Sequence, residues 1–175
     1  MNLPNLLSFS RILLLAPIIL LFEYNFYFLS AIIFLFASIT DYLDGYFARK
    51  RNQASETGAL IDLLSDKIFI STLLIWMTYS YDNLLILISS ILIISREISV
   101  SYLRLFIVTK SKHFNKVRSD LLGKVKTTFQ MIGLGLLLIS PLAVFPLFNI
   151  ALTLVFLSAI FSWFSFAIYL KKWIV

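Results

Sequence analysis

The sequence predicts an all-α, polytopic membrane protein: six transmembrane helices with a short N-terminal interfacial segment. Three observations predict it. The chain of 175 residues is 60% hydrophobic and only 14% charged, with a mean hydropathy of +0.93. A soluble domain is about a quarter charged. This chain therefore lacks the polar groups to cover a water-facing surface, and lipid must be its solvent. Apolar runs of the roughly 20 residues that a crossing needs recur along it, separated by short polar joints. Lysine and arginine fall in alternate joints, as the positive-inside rule demands.

Met1 to Ser10 reads as an interfacial lead-in with Pro4 at a bend. No Lys or Arg precedes Arg11, and no small-residue cleavage site follows the apolar run, so a cleaved signal peptide is not expected. Spans are expected at 11–22, 26–48, 59–80, 83–109, 119–140 and 147–170. The first is short for a crossing unless the helix extends back through the lead-in. The first, third and fifth joints contain Glu23 and Asp82 but no basic residue. The second contains Lys50 and Arg51, the fourth Lys110, Lys112, Lys116 and Arg118, and the tail ends in Lys171 and Lys172. Both termini and both basic joints are therefore placed in the cytoplasm. The net charge of +6 is an orientation signal with attraction for anionic membrane lipid, and no nucleic-acid partner is expected. Residues 1–175 read as a single membrane domain. The Phe-rich sixth span serves equally as a lipid-facing helix or as the contact of a homodimer.

With no cysteine and His113 as the lone histidine, there is no disulfide framework, thiolate nucleophile or cysteine metal site. A His-based catalytic triad is disfavoured. A metal would be held by oxygen, which favours hard divalent cations. Five of the nine acidic residues lie between Asp41 and Asp66. Asp41 and Asp44 are three apart and Asp62 and Asp66 four apart, so each pair shares a helix face. About ten residues join the two helices, so they are expected to be antiparallel neighbours with four carboxylates converging. Uncompensated, that point would be strongly repulsive at low dielectric, and two bound cations neutralise it economically. The plainer reading pairs the aspartates with Arg49, Lys50 and Lys67 at the interface. It suits any one of them, but not all four in matched spacing, because ionisable groups at membrane depth are costly and tend to be functional.

Asp41-x2-Asp44-Gly45-x2-Ala48-Arg49-x8-Gly58-x3-Asp62-x3-Asp66 resembles the signature of the CDP-alcohol phosphatidyltransferases. At roughly one in fifteen per position, eight fixed residues coincide by chance about once in 10⁹ windows. Three further stretches are similar to family members that use sn-glycerol 3-phosphate as acceptor: Asn2 to Leu7 through Arg11, Ile94-Ser95-Arg96-Glu97 with Arg104, and Gly123 to Thr128. Leu63 departs from the proline common there, at a position that is not a ligand.

The resemblance implies transfer of the phosphatidyl group from CDP-diacylglycerol to sn-glycerol 3-phosphate in a bacterial inner membrane, with the active site facing the cytoplasm. It implies Mg²⁺ or Mn²⁺, two ions, held by Asp41, Asp44, Asp62 and Asp66, with Asp66 also the catalytic base. Asn5, Gly45, Ala48, Arg49 and Gly58 become candidates for the nucleotide and its diphosphate. The acceptor phosphate needs cations. Arg96 and Arg104 lie eight apart, about two turns, on one face of span four, and Arg118, Lys124 and Lys126 flank the start of span five. Each has a plainer role: Arg96 paired with Glu97, the lysines as snorkelling anchors, Asn5 as a helix cap, the glycines and Ala48 as small-residue packing. Other functions are the same chemistry with serine, inositol phosphate or phosphatidylglycerol as acceptor, and a cation transporter. Against the transporter, the carboxylates lie at one end of the helices, whereas transport sites lie near the midplane.

Overall fold

The computed structural model describes residues 3–51, 56–110, 121–142 and 146–174, with side chains described over 9–40, 63–103, 125–142 and 146–171. Six helices account for nearly all of it: α1 Leu3–Glu23, α2 Tyr27–Arg51, α3 Glu56–Tyr81, α4 Leu84–Lys110, α5 Leu121–Ile139 and α6 Pro146–Ile174, with a 3₁₀ turn at Ser140–Leu142 closing α5. No strand occurs among the described residues.

The expected lead-in is itself helical. α1 begins at Leu3 and runs through Arg11; Pro4 falls in its first turn, where a missing N–H costs nothing. With 21 residues α1 is about 30 Å long, enough for a crossing. The two shortest joints each contain a left-handed residue, Asn25 at φ 66° and Asp82 at φ 43°. Asn and Asp tolerate that conformation better than other non-glycine residues. Asn83 then caps α4, its Oδ1 accepting from the backbone N–H of Leu85 at 2.9 Å and of Ile86 at 3.3 Å.

The helices pack in the cyclic order α1, α2, α5, α6, α4, α3 and back to α1. The expected convergence of α2 and α3 falls at Asp41, Asp44 and Asp62, where side chains lie outside the described residues. Among the described residues α1 packs on both of these helices, and they meet across the interior, where Phe34 and Phe69 stack at 5.9 Å. The core gathers Ile18, Phe34, Phe69, Leu73, Leu74, Leu134, Leu137 and Val155. α5 and α6 approach closely at Gly133, where an added Cβ would lie 2.7 Å from Val155 Cγ2.

Phe28, Phe36, Ile75, Ile91 and Phe164 are all exposed, an outer surface suited to lipid. Several hydroxyls inside the helices donate to backbone carbonyls, as with Thr78 Oγ1 on Leu74 O at 2.8 Å and Ser89 Oγ on Leu85 O at 2.7 Å. Among the described residues three stretches are long and apolar enough to cross a membrane: Leu84–Leu103, Val125–Leu142 and Pro146–Lys171. This is a helical membrane protein.

One end of the bundle is tied by aromatic and polar contacts. Trp76 Nε1 donates to Glu23 at 3.1 Å, and Tyr81 Oη bonds the Leu137 carbonyl at 2.5 Å and Ser140 Oγ at 2.7 Å. Phe22 packs edge-on against Trp76 at 4.7 Å and Tyr27 at 4.8 Å. The opposite end opens into a charged cavity.

Candidate active site

The cavity holds about 280 Å³ and is lined from five of the six helices. Arg11 enters from α1, Asp66 and Lys67 from α3, Glu97 from α4 and Lys126 from α5, over an apolar floor that includes Phe69 and Met131. Five ionisable side chains thus surround one space inside an apolar bundle, an arrangement that marks a functional site.

Two charge groups face each other across it. On one wall Arg11 Nη1 donates to Asp66 Oδ1 in an ion pair; the Arg11 side chain is 2% exposed and that of Asp66 42%. On the other wall Glu97 Oε1 accepts from Arg96 Nη1 at 2.8 Å and from Lys126 Nζ. Lys67 Nζ spans the walls and donates to the Glu97 carbonyl at 3.2 Å. Arg96 also donates from Nε to the Ser162 carbonyl of α6 at 3.1 Å, behind the cavity wall.

Among the expected site residues, the structure brings Asp66 and Lys126 to the same cavity, and joins Arg96 to it through Glu97. The backbones of Asp41, Asp44, Gly45, Ala48 and Arg49 continue α2, and those of Gly58 and Asp62 open α3; their side chains lie outside the described residues. The same holds for Asn5 in α1, Arg104 in α4 and Lys124 in α5, while Arg118 lies wholly outside. No group of three metal-ligating side chains is found among the described residues, which exclude three of the four aspartates.

The sequence offered Lys67 only as an interfacial partner of the aspartates, and Arg11 only as the start of the first span and the end of a stretch similar to the family. A signal was available: an arginine followed by the apolar run Ile12 to Phe22 is costly in lipid unless it has a partner. Its partner is 55 residues away in sequence, and spacing along one helix cannot reveal it.

Fold and cavity together describe a lipid-embedded helical bundle with a charged interior. The chain belongs to the CDP-alcohol phosphatidyltransferase family, whose model matches residues 1–171. Several bacterial relatives named CDP-diacylglycerol–glycerol-3-phosphate 3-phosphatidyltransferase are similar to it. The Pseudomonas fluorescens protein is 37% identical over 144 residues, 81% of this chain and 74% of that one. The relative from Salmonella choleraesuis (strain SC-B67) is 35% identical over 143 residues, 80% of this chain and 78% of its own. That from Escherichia coli (strain K12) is 34% identical over the same shares.

Proposed function

We propose that this chain transfers the phosphatidyl group of CDP-diacylglycerol to sn-glycerol 3-phosphate, yielding phosphatidylglycerol phosphate and CMP. The reaction is placed at the cytoplasmic face of a bacterial inner membrane, with residues 1–175 acting as one domain. The observation that carries the reading is the cavity that the Asp66 carboxylate, Lys67 and Lys126 line together. A carboxylate able to receive a proton and cations able to hold a phosphate there share one space.

The donor set suits hard cations: Asp66 is an oxygen donor turned partly into the cavity, and no soft ligand competes in a chain without cysteine. We assign two Mg²⁺ or Mn²⁺ ions to Asp41, Asp44, Asp62 and Asp66. Bound there, the ions would neutralise the diphosphate and stabilise departing CMP. The chain's own residues do the rest. Asn5, Gly45, Ala48, Arg49 and Gly58 receive the nucleotide and its diphosphate. Lys126 and Lys67 hold the acceptor phosphate by charge-assisted hydrogen bonds, with Arg96 behind Glu97, and with Arg104, Arg118 and Lys124 completing the pocket. Asp66 accepts the proton of the acceptor hydroxyl as its oxygen bonds to the lipid-side phosphorus and the bond to CMP breaks. A carboxylate is a weak base near neutral pH, so placement of the two substrates supplies most of the acceleration.

Purified protein in lipid nanodiscs should release CMP from CDP-diacylglycerol when sn-glycerol 3-phosphate is added, and much less with serine or inositol phosphate. Chelation should abolish release, and Mg²⁺ or Mn²⁺ should restore it. Undiminished turnover in excess chelator overturns the metal assignment; preference for serine or inositol phosphate overturns the acceptor.

A further inference from the structure

We propose that Arg11 is a positioning residue for Asp66, an inference that rests on the transferase reading above. Arg11 lies on α1 with its side chain 2% exposed, yet it reaches across to α3 and grips Asp66 Oδ1. The enclosure is one-sided. The arginine is sealed inside the bundle, while the Asp66 side chain is 42% exposed and lines the cavity. A carboxylate so exposed does not need a buried guanidinium for its own solvation. Burying a guanidinium costs desolvation energy that an apolar side chain would avoid, so stability alone is a poor reason to keep it. What the arrangement supplies is orientation. One carboxylate oxygen is anchored from behind by the guanidinium, and the remainder of the carboxylate is presented to the cavity.

α1 contributes no other ionisable side chain to the cavity among the described residues, and it packs on both α2 and α3. The anchor is thus carried by the helix wedged between the two that bear the aspartates. An aspartate that must meet an acceptor hydroxyl within hydrogen-bond reach benefits from such fixing, since a misplacement of about 1 Å can lower the rate about a hundredfold.

The test is Arg11→Met, which keeps length and apolar bulk, beside Arg11→Lys, which keeps the charge but not the planar fork. Steady-state CMP release is measured against each substrate in turn, with a melting curve on each preparation. We expect Arg11→Met to lose about ten- to a hundredfold in kcat, with KM for CDP-diacylglycerol and for sn-glycerol 3-phosphate each within about threefold of the unsubstituted protein. Arg11→Lys should fall between the two. Wild-type kcat in Arg11→Met overturns the inference, as does a loss expressed chiefly in the KM of one substrate, which would make Arg11 a binding residue. If Arg11→Met does not fold, Arg11→Lys decides: reduced kcat with an unshifted melting point supports positioning, and wild-type kcat overturns it. Failure of the transferase reading is separate, because the unsubstituted protein would then release no CMP.

Discussion

Glu97 carries two cations on one carboxylate oxygen, Arg96 from its own helix and Lys126 from α5, and the two have different duties. Lys126 lines the cavity, and in the proposed reaction it exchanges Glu97 for an arriving phosphate. Arg96 is committed elsewhere: with Nε on the Ser162 carbonyl it fastens α4 to α6. Lys126→Met should therefore raise KM for sn-glycerol 3-phosphate by roughly ten- to a hundredfold, the worth of a charge-assisted contact of about 1.5–3 kcal/mol, and leave KM for CDP-diacylglycerol unchanged. Arg96→Met breaks a buried network and should cost about 3–5 kcal/mol of stability, read as a lower melting temperature. A larger KM change in Arg96→Met than in Lys126→Met would return Arg96 to direct phosphate contact. Of the residues that line the cavity, Asp66 and Lys126 were legible as candidates, because a spacing of four and a place near a helix end can be read along one chain. The sequence left Arg96 open between phosphate and Glu97, since rotamer and partner depend on α6, some 66 residues later.

At the scale of the elements, hydropathy and joint residues located every helix to within a few positions, apart from the start of α1. They did not reveal which helices touch. A helix with lipid on one side and core on the other is apolar all round, so nothing in its pattern names its neighbours. The place of α1 between α2 and α3 was invisible for that reason. The contact of α5 with α6 turns on one residue. At Gly133 a methyl group would meet Val155 Cγ2 at 2.7 Å, Val155 N at 3.1 Å and the Ala151 carbonyl at 3.2 Å, and backbone cannot rotate out of the way. Gly133→Ala should force the helices apart and destabilise the protein by about 1–3 kcal/mol. Because the contact lies between α5 and α6 and away from the cavity, both KM values should stay put while the melting point falls. An unchanged melting point would mean that the interface yields more easily than its packing suggests.

For the whole molecule the two ends differ in charge as well as in shape. Contacts of Glu23 with Trp76, Tyr81 with Ser140 and Tyr81 with Phe148 gather the first, third and fifth joints at one end, and those joints contain no Lys or Arg. The basic joints and the Lys171-Lys172 tail belong to the C-terminal ends of α2, α4 and α6, at the opposite end of the helices. The positive-inside rule predicts that the cavity faces the cytoplasm, where in the proposed reaction a phosphorylated acceptor would enter from water without crossing lipid. A chain without cysteine makes this directly measurable. Tyr24→Cys and Leu84→Cys use exposed sites that spare the left-handed Asn25 and Asp82, and Gln53→Cys and Lys112→Cys occupy the basic joints. In intact cells a membrane-impermeant thiol reagent should label positions 24 and 84 and spare 53 and 112 until the membrane is opened. Labelling of 112 from outside, with 24 protected, would reverse the orientation. The cavity would then face away from the cytoplasm, and the proposed reaction would require its acceptor on the outer side.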